Sequence, residues 1–242
     1  MNRFKSLACC AIAAVAALGM QAQATTVKVG QSTAPWLGFM NVSNLPAPDG
    51  DGAYQFGSGW AVPDLPVSFD DANSKLTFFP NSINDPNEYW YQCTGSGSAP
   101  NCGSPGALGN KIMEANMYIE ETDVLNGQTV TFEYNILANT FTSAHTAIAF
   151  IRDFAPDYSS SNDVYSAPLT PGASSISLAT DAAAGRHVQY GFQVKGVNVW
   201  ITDIAPFGNL MVGTVPEPAS LSLVGMCGLA FVGMRRRNRK LV

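Results

Sequence analysis

Histidine, cysteine and the short motifs of common enzymes are scarce in this 242-residue chain. It has two histidines, His145 and His187, and five cysteines. Serine hydrolases carry a Gly-x-Ser-x-Gly elbow, zinc peptidases a His-Glu-x-x-His pair, and nucleotide-binding enzymes a glycine-rich phosphate loop. The chain has none of these three motifs. General acid–base catalysis also needs a tuned partner within hydrogen-bond reach. We therefore expect a protein that is not an enzyme.

Positive charge is sparse once the two ends of the chain are set aside. Seven of the 13 Lys and Arg residues lie before residue 6 or after residue 234, and one of the 18 carboxylates is Glu217. Residues 25–214 therefore keep 6 cations and 17 carboxylates, a net charge of −11. Such a body repels phosphate backbones, so we expect no nucleic-acid partner. Acidic polysaccharides are disfavoured too, unless a cation bridges them.

The N-terminal segment has the pattern of a secretory signal peptide. Arg3 and Lys5 precede an apolar stretch from Leu7 to Met20. Ala22-Gln23-Ala24 then fits the small-x-small rule for cleavage. We expect cleavage after Ala24, which removes residues 1–24.

The last 28 residues have three parts with different physical roles. Pro216 and Pro218 flank Glu217, and their fixed φ and missing donors prevent a helix there. An apolar run of 16 residues, 219–234, follows; as a helix it is about 24 Å long, shorter than the ~30 Å hydrocarbon core of a bilayer. The chain then carries a basic cluster, which the positive-inside bias holds in the cytoplasm: Arg235, Arg236, Arg237, Arg239 and Lys240.

This ending resembles the PEP-CTERM sorting signal in the order, spacing and terminal position of its parts. The resemblance implies an exosortase-type partner that cuts near Pro216-Glu217-Pro218, and attachment to the membrane through the C-terminal helix before that cut. It implies export across the inner membrane to the cell envelope, the surface or an extracellular matrix. A plain C-terminal anchor helix is the alternative, and it gives the same topology.

Cys93 and Cys102 are the cysteines that remain between the two targeting segments. An even pair in an exported chain predicts a disulfide. Two cysteines fall short of the four ligands that a structural zinc site usually takes. We therefore expect a bridge that closes the Gly-, Ser- and Pro-rich loop between them.

The pattern of residues 25–214 predicts an all-β domain, an antiparallel β-sandwich. An N-terminal signal helix precedes it, and the sorting signal 215–242, with its single apolar helix, follows it. Short β-branched and aromatic runs alternate with Gly, Pro, Asn, Asp and Ser, and no long helical periodicity occurs. We expect ten to twelve strands, with Lys195-Gly196 as a tight turn and 153–163 as a loop. The predicted strands are 26–30, 38–45, 53–60, 75–79, 111–121, 128–138, 144–154, 174–178, 186–194, 197–204 and 210–214.

The stretch 111–121 has the clearest two-residue period. It places Met113 and the other apolar residues at odd-numbered positions on one face. The opposite face carries Glu114, Asn116, Tyr118 and Glu120. Since successive side chains of a strand point to opposite faces, we expect a half-buried strand. The same alternation puts Arg186 and Tyr190 on one face and His187 on the other, so these three do not converge on a catalytic site.

Several strands between residues 105 and 213 resemble those of jelly rolls of the galactose-binding or carbohydrate-binding-module type. They are Gly-Gln-Thr-Val-Thr-Phe at 127–132, Ala-Phe-Ile at 149–151, and Val-Gln-Tyr-Gly-Phe with Gly-Val-Asn-Val-Trp at 188–192 and 196–200. The resemblance implies sugar binding, often with a structural calcium. Aromatic rings stack on sugars, and Tyr89, Trp90 and Tyr91 are the candidates. Loop carboxylates bind calcium, and Asp153, Asp157 and Asp163 are the candidates.

The sequence therefore predicts an exported, non-enzymatic surface or matrix protein that associates with polysaccharide. A polysaccharide-active enzyme, a lyase or glycoside hydrolase on a jelly-roll scaffold, is the alternative. An acidic body with aromatic groups and few titratable candidates favours weak binding of neutral or cation-bridged sugars over turnover.

Overall fold

Strands dominate the computed structural model, which describes residues 23–93, 102–166 and 168–214. Three single-turn 3-10 helices interrupt them at Val62–Asp64, Asp71–Asn73 and Ala205–Phe207. Within the described ranges, no helix has the length and apolar character needed to cross a membrane. The strands are β1 Gln23–Lys28, β2 Trp36–Asn44, β3 Tyr54–Trp60, β4 Val67–Asp70, β5 Lys75–Phe78, β6 Ser82–Ile83, β7 Lys111–Thr122, β8 Gln128–Asn139, β9 His145–Phe154, β10 Ser161–Ser166, β11 Gly172–Ala179, β12 His187–Val197, β13 Val199–Trp200 and β14 Leu210–Gly213.

The strands form two six-stranded sheets and one small ribbon. The first sheet has the order β1-β8-β14-β5-β4, with β11 on the other edge of β8. The second sheet has the order β10-β9-β12-β7-β2-β3, and β13 pairs with β6. Pairing is antiparallel except for β1 with β8 and β13 with β6. For the described residues, the prediction of a mainly β domain with antiparallel sheets is confirmed.

The core lies between the two sheets. Phe192 of β12 lies in the second sheet, and its ring centroid is 5.4 Å from that of Phe78 and 5.5 Å from that of Phe132, both in the first sheet. Tyr190 meets Phe132 at 5.5 Å in the same layer. Burial of one such ring contributes about 1.5–3 kcal/mol to the free energy of unfolding. These contacts pack the sheets face to face as a β-sandwich.

Strand β7 has the predicted period of two. Met113 and Met117 are buried in the core, whereas Glu114 and Glu120 are only partly buried on the opposite face. Strand β9 is paired on both edges, with β10 and β12, so it is an interior strand of the second sheet, as predicted. The outer face of β7 is therefore part of the surface of the second sheet.

The predicted hairpin turn at Lys195-Gly196 is wrong. Strand β12 continues through both residues to Val197, because β7 and β9 pair with it on either side. Gly196 marks a close approach instead: a Cβ there would lie 2.3 Å from the Cδ2 atom of His145. The predicted loop 153–163 is also too long, since residues from Ser161 onward form β10 against the edge of β9.

The two ends of the described chain meet along one edge of β8. Strand β1 runs parallel to β8 and ends with Lys28 opposite Glu133, and β14 runs antiparallel and ends with Gly213 opposite Asn135. Strand β1 starts at Gln23, so cleavage after Ala24 would trim its first two residues. The predicted signal helix and C-terminal apolar helix lie outside the described residues.

Candidate functional site

The outer face of the second sheet carries a groove of about 540 Å³. Five segments of the chain line it, four of them strands of the sheet and one the loop that follows β9. Its lining combines apolar rings with amides, one carboxylate and one guanidinium: Leu37, Phe39 and Asn41 from β2, Asn116, Tyr118 and Glu120 from β7, Arg152 and Phe154 from β9, Tyr158 from the loop, and Gln189 from β12.

Strand register explains why these side chains come together. Gln189 lies opposite Glu120 on one side and Arg152 on the other, so the three form one row across the sheet. In the next row Gly191 lies between Tyr118 and Phe150. Since Gly191 has no side chain, the rings of its two neighbours approach to 6.4 Å and close the floor.

Asn116 anchors one end of the groove. It is 1% exposed, and its Oδ1 accepts hydrogen bonds of 2.9 Å from Arg152 Nη1 and Gln193 Nε2. Its Nδ2 donates to the backbone carbonyls of Phe39 and Glu114. The Arg152 guanidinium also lies 4.0 Å over the ring of Phe150. The amide and the guanidinium are thus held in fixed positions before any ligand arrives.

Glu120 anchors the other end. Its Oε1 accepts a 2.9 Å hydrogen bond from the Tyr158 hydroxyl, and its Oε2 accepts one of 2.7 Å from Gln189 Nε2. His187 Nδ1 lies 3.4 Å from Oε1, and the imidazole stacks on the Tyr158 ring at 4.3 Å. This end brings a carboxylate, a phenol and an imidazole into contact.

Tyr158 occupies an unusual backbone conformation for a bulky residue. Its φ is 58°, in the left-handed region that costs free energy without a glycine. The ring and hydroxyl contacts above hold it there and fold the loop over the sheet. Burial, and then the hydrogen bond to Glu120, raise the pKa of Tyr158 to about 12. The side chain is therefore a neutral phenol, and a donor, at neutral pH.

Of the predicted stacking platform of Tyr89, Trp90 and Tyr91, the first two side chains are partly exposed and the third is buried. Tyr91 is 0% exposed, its hydroxyl bonds to two backbone carbonyls, and its ring packs against Trp200 at 5.4 Å. The Lys111 ammonium lies 4.4 Å over the Tyr89 ring. Trp90 packs on Tyr89 and against the core. Tyr91 therefore serves internal packing under the β6–β13 ribbon, and sugar stacking on Tyr89 and Trp90 stays a prediction.

The predicted carboxylate cluster does not converge either. Asp153 is 0% exposed and binds the Nε of Arg186 at 2.8 Å. Asp163 lies opposite Arg152 in the β9–β10 pair, so it points to the outer face while Asp153 points inward. Asp157 is exposed and accepts from the Ser159 amide. Among the described residues, no group of three or more His, Cys, Asp or Glu side chains could hold a metal ion. Calcium binding as such stays a prediction.

Other sequence-based expectations have clear outcomes. Cys93 and Cys102 are bonded, with 4.7 Å between their Cα atoms, as predicted. Tyr190 lies in the core and His187 on the outer face, which confirms the alternation. Ala24 is exposed in β1. The predicted processing motif Pro216, Glu217 and Pro218 and the basic cluster from Arg235 to Lys240 lie outside the described residues.

The two-residue period of β7 correctly predicted that Asn116, Tyr118 and Glu120 share one face. The groove residues on the other strands and the loop were not predicted. A usable signal was present: Gln189 and Gln193 lie among the apolar residues 188–194 of β12, and Arg152 follows the apolar residues 147–151 of β9. Polar side chains that are buried need hydrogen-bond partners, in a polar network or at a site. The partners of these three residues lie on other strands, so only the register shows the network.

Comparison with known proteins characterises the C-terminal segment. Neither the curated proteins nor the solved structures contain a match to the chain. Residues 214–237 match the family model of the PEP-CTERM protein-sorting motif, so that the motif begins directly after β14 ends at Gly213. The chain is thus an exported protein of the cell envelope with a C-terminal motif for sorting and processing by an exosortase.

Proposed function

We propose that this protein is a non-enzymatic surface or matrix protein that binds saccharide chains in the groove of the second sheet. One observation carries the proposal: the groove places apolar rings beside fixed hydrogen-bonding groups. Phe39 and Phe154 supply apolar surface, and Asn41, Gln189 and Arg152 supply polar atoms. A sugar ring needs both kinds of contact, because its C–H faces pack on apolar rings while its hydroxyls need donors and acceptors.

The fixed geometry of the groove favours binding. Ordering a mobile side chain at an interface costs about 0.5–1.5 kcal/mol. The network around Asn116 and the pairs around Glu120 have already met that cost in the folded chain. The groove lies on an open sheet face, so a polymer can lie across it without threading. We expect dissociation constants on the order of micromolar to millimolar.

A matched pair of leucines tests the groove. Leu37 lies in the groove and is 45% exposed, and Leu137 lies on β8 in the other sheet and is 44% exposed. Isothermal titration of the processed protein with envelope polysaccharide should show binding that Leu37→Ser weakens about tenfold, the value of one lost apolar contact of roughly 1.4 kcal/mol. Leu137→Ser should bind like the wild type. Equal loss in both variants, or no wild-type binding, would refute the proposal.

A polysaccharide-active enzyme is the second candidate, and the cluster of Glu120, His187 and Tyr158 is the observation that favours it. A carboxylate beside an imidazole is a common acid–base pair. Both Glu120 oxygens, however, already accept hydrogen bonds, and the raised pKa of Tyr158 keeps its phenol protonated. Release of reducing or unsaturated ends from polysaccharide, abolished by Glu120→Gln, would establish the enzyme and displace the binding proposal.

A further inference from the structure

Most cations of the exported domain are paired with carboxylates. Among the described residues four cations have a carboxylate oxygen within 4.0 Å: Lys28, Lys75, Arg186 and Lys195. Lys111 and Arg152 have none. Lys111 is 6% exposed and covers the ring of Tyr89, so it cannot reach a ligand. Arg152 is half-buried and lines the groove.

The Arg152 side chain is rigidly held although its charge has no carboxylate partner. Nη1 donates to Asn116 Oδ1 at 2.9 Å, and the guanidinium plane lies over Phe150 with Tyr165 beside it. A guanidinium has five N–H donors in a fixed fork that matches a planar anion. A preorganised, charged fork in a groove is the usual protein group for binding an anion through two hydrogen bonds.

The carboxylates of this face do not compete for Arg152. Glu114 binds Lys195 and Asn41. Glu120 accepts from Tyr158 and Gln189. Asp163 lies opposite Arg152, but it accepts the Tyr165 hydroxyl and lies beyond 4.0 Å of the guanidinium. These hydrogen bonds fix the carboxylates away from Arg152 but leave their charge, so the groove is negative at its Glu120 end and positive at its Arg152 end.

We infer that Arg152 binds an anionic group, a carboxylate or a sulfate ester, carried by the saccharide in the groove. This inference rests on the proposed function and names its ligand class. It runs against the net charge of −11, which favours neutral sugars. The Debye length is about 8 Å at physiological ionic strength, so distant carboxylates are largely screened and the contact with the guanidinium decides the preference.

The test compares matched anionic and neutral glycans in the presence of EDTA, which removes bridging cations. The probes are oligogalacturonate and alginate oligosaccharides with their carboxyl-reduced forms, and dextran sulfate with dextran. Wild-type protein should bind at least one anionic probe about ten- to a hundredfold more tightly than its neutral counterpart, the range for a charge-assisted hydrogen-bonded pair. The uronate and sulfate arms identify which anion is recognised.

Two variants that each remove one positive charge distinguish a direct contact with Arg152 from a general effect of net charge. Arg152→Gln should abolish the preference for the anionic probe, and Arg152→Lys should restore part of it. Lys195→Gln removes a cation from the same face, but one already paired with Glu114, and should leave the preference within about twofold of wild type. Thermal midpoints check that each variant is folded.

The outcomes separate this inference from the function on which it rests. Equal binding of anionic and neutral probes by the wild type would overturn the inference and leave the saccharide-binding proposal standing, even if Arg152→Gln fails to fold. If the preference for the anionic probe disappears when EDTA is added, a bridging cation causes that preference, and the inference is also overturned. Loss of all glycan binding, or insensitivity to Leu37→Ser, would overturn the proposed function itself.

Discussion

Acid should destabilise this fold through one buried histidine. His145 is 3% exposed, and its ring lies 5.8 Å from Phe141 and 5.6 Å from Phe207. Burial lowers the pKa of His145 from 6.5 to about 4. The Val197 backbone acts in the opposite direction, but neither ring nitrogen has a hydrogen bond of ordinary geometry. Burial therefore dominates.

The sign and size of the effect follow from proton linkage. The unfolded chain binds a proton at His145 below pH 6.5, and the folded chain does so only near pH 4. Stability is therefore complete above pH 6.5, falls as the pH drops toward 4, and levels off below that. One pKa unit is worth 1.36 kcal/mol, so the total loss from this group is about 3 kcal/mol and the loss at pH 5 is about 2 kcal/mol.

Thermal unfolding of wild type and His145→Leu at pH 7 and pH 5 measures the stability that is lost when His145 is protonated. Leucine has a similar volume and does not titrate. For a domain of this size 1 kcal/mol shifts the midpoint by about 2–4 °C, so the wild type should lose about 4–8 °C more than the variant. His187→Asn removes the other histidine and should keep the His145 term. An equal drop in wild type and His145→Leu would refute the reasoning.

Three further predictions concern the charge pair, the bridge and the ends of the chain. Arg186→Met leaves a buried carboxylate unpaired and should lower the free energy of unfolding by about 3–5 kcal/mol in urea titrations, whereas Lys28→Met breaks an exposed pair and should cost under about 1 kcal/mol; similar losses would contradict the burial argument. Cys93→Ser should cost about 2.5 kcal/mol or less because the closed loop is short, and thiol labelling of the denatured, unreduced wild type should find no free thiol at this bridge. Intact mass spectrometry of the envelope protein should show a chain without residues 1–24 that ends near 216–218, and a mass that retains the full C-terminus would count against processing there.

The sequence predicted the strand pattern because strand formation depends on a local period. Alternation in 111–121 placed Met113 inside and Glu120 outside, and both positions are as expected. The bridge between Cys93 and Cys102 also followed from composition and compartment. The sorting motif could be predicted because Pro-Glu-Pro, the apolar run and the basic cluster are contiguous in the chain. The family match at 214–237 confirms the motif.

The predictions that failed depended on contacts between distant segments. Lys195-Gly196 resembles a turn locally, but two neighbouring strands keep it extended. Asp153 resembles a loop ligand, but Arg186, 33 residues away, neutralises it. Exposure of Tyr91 depended on elements that pack over it, and no local pattern reports them.

The candidate site was decided by register alone. Asn116, Arg152 and Gln193 lie on three strands, and they share one hydrogen-bond network because β7, β12 and β9 are adjacent in the sheet. A shift of one residue in any of these pairings would turn the polar side chains toward the core. The sequence by itself determined where the chain is sent and that it folds as strands. Only the tertiary structure decided which of those strands lie side by side, and therefore which charge is left without a partner.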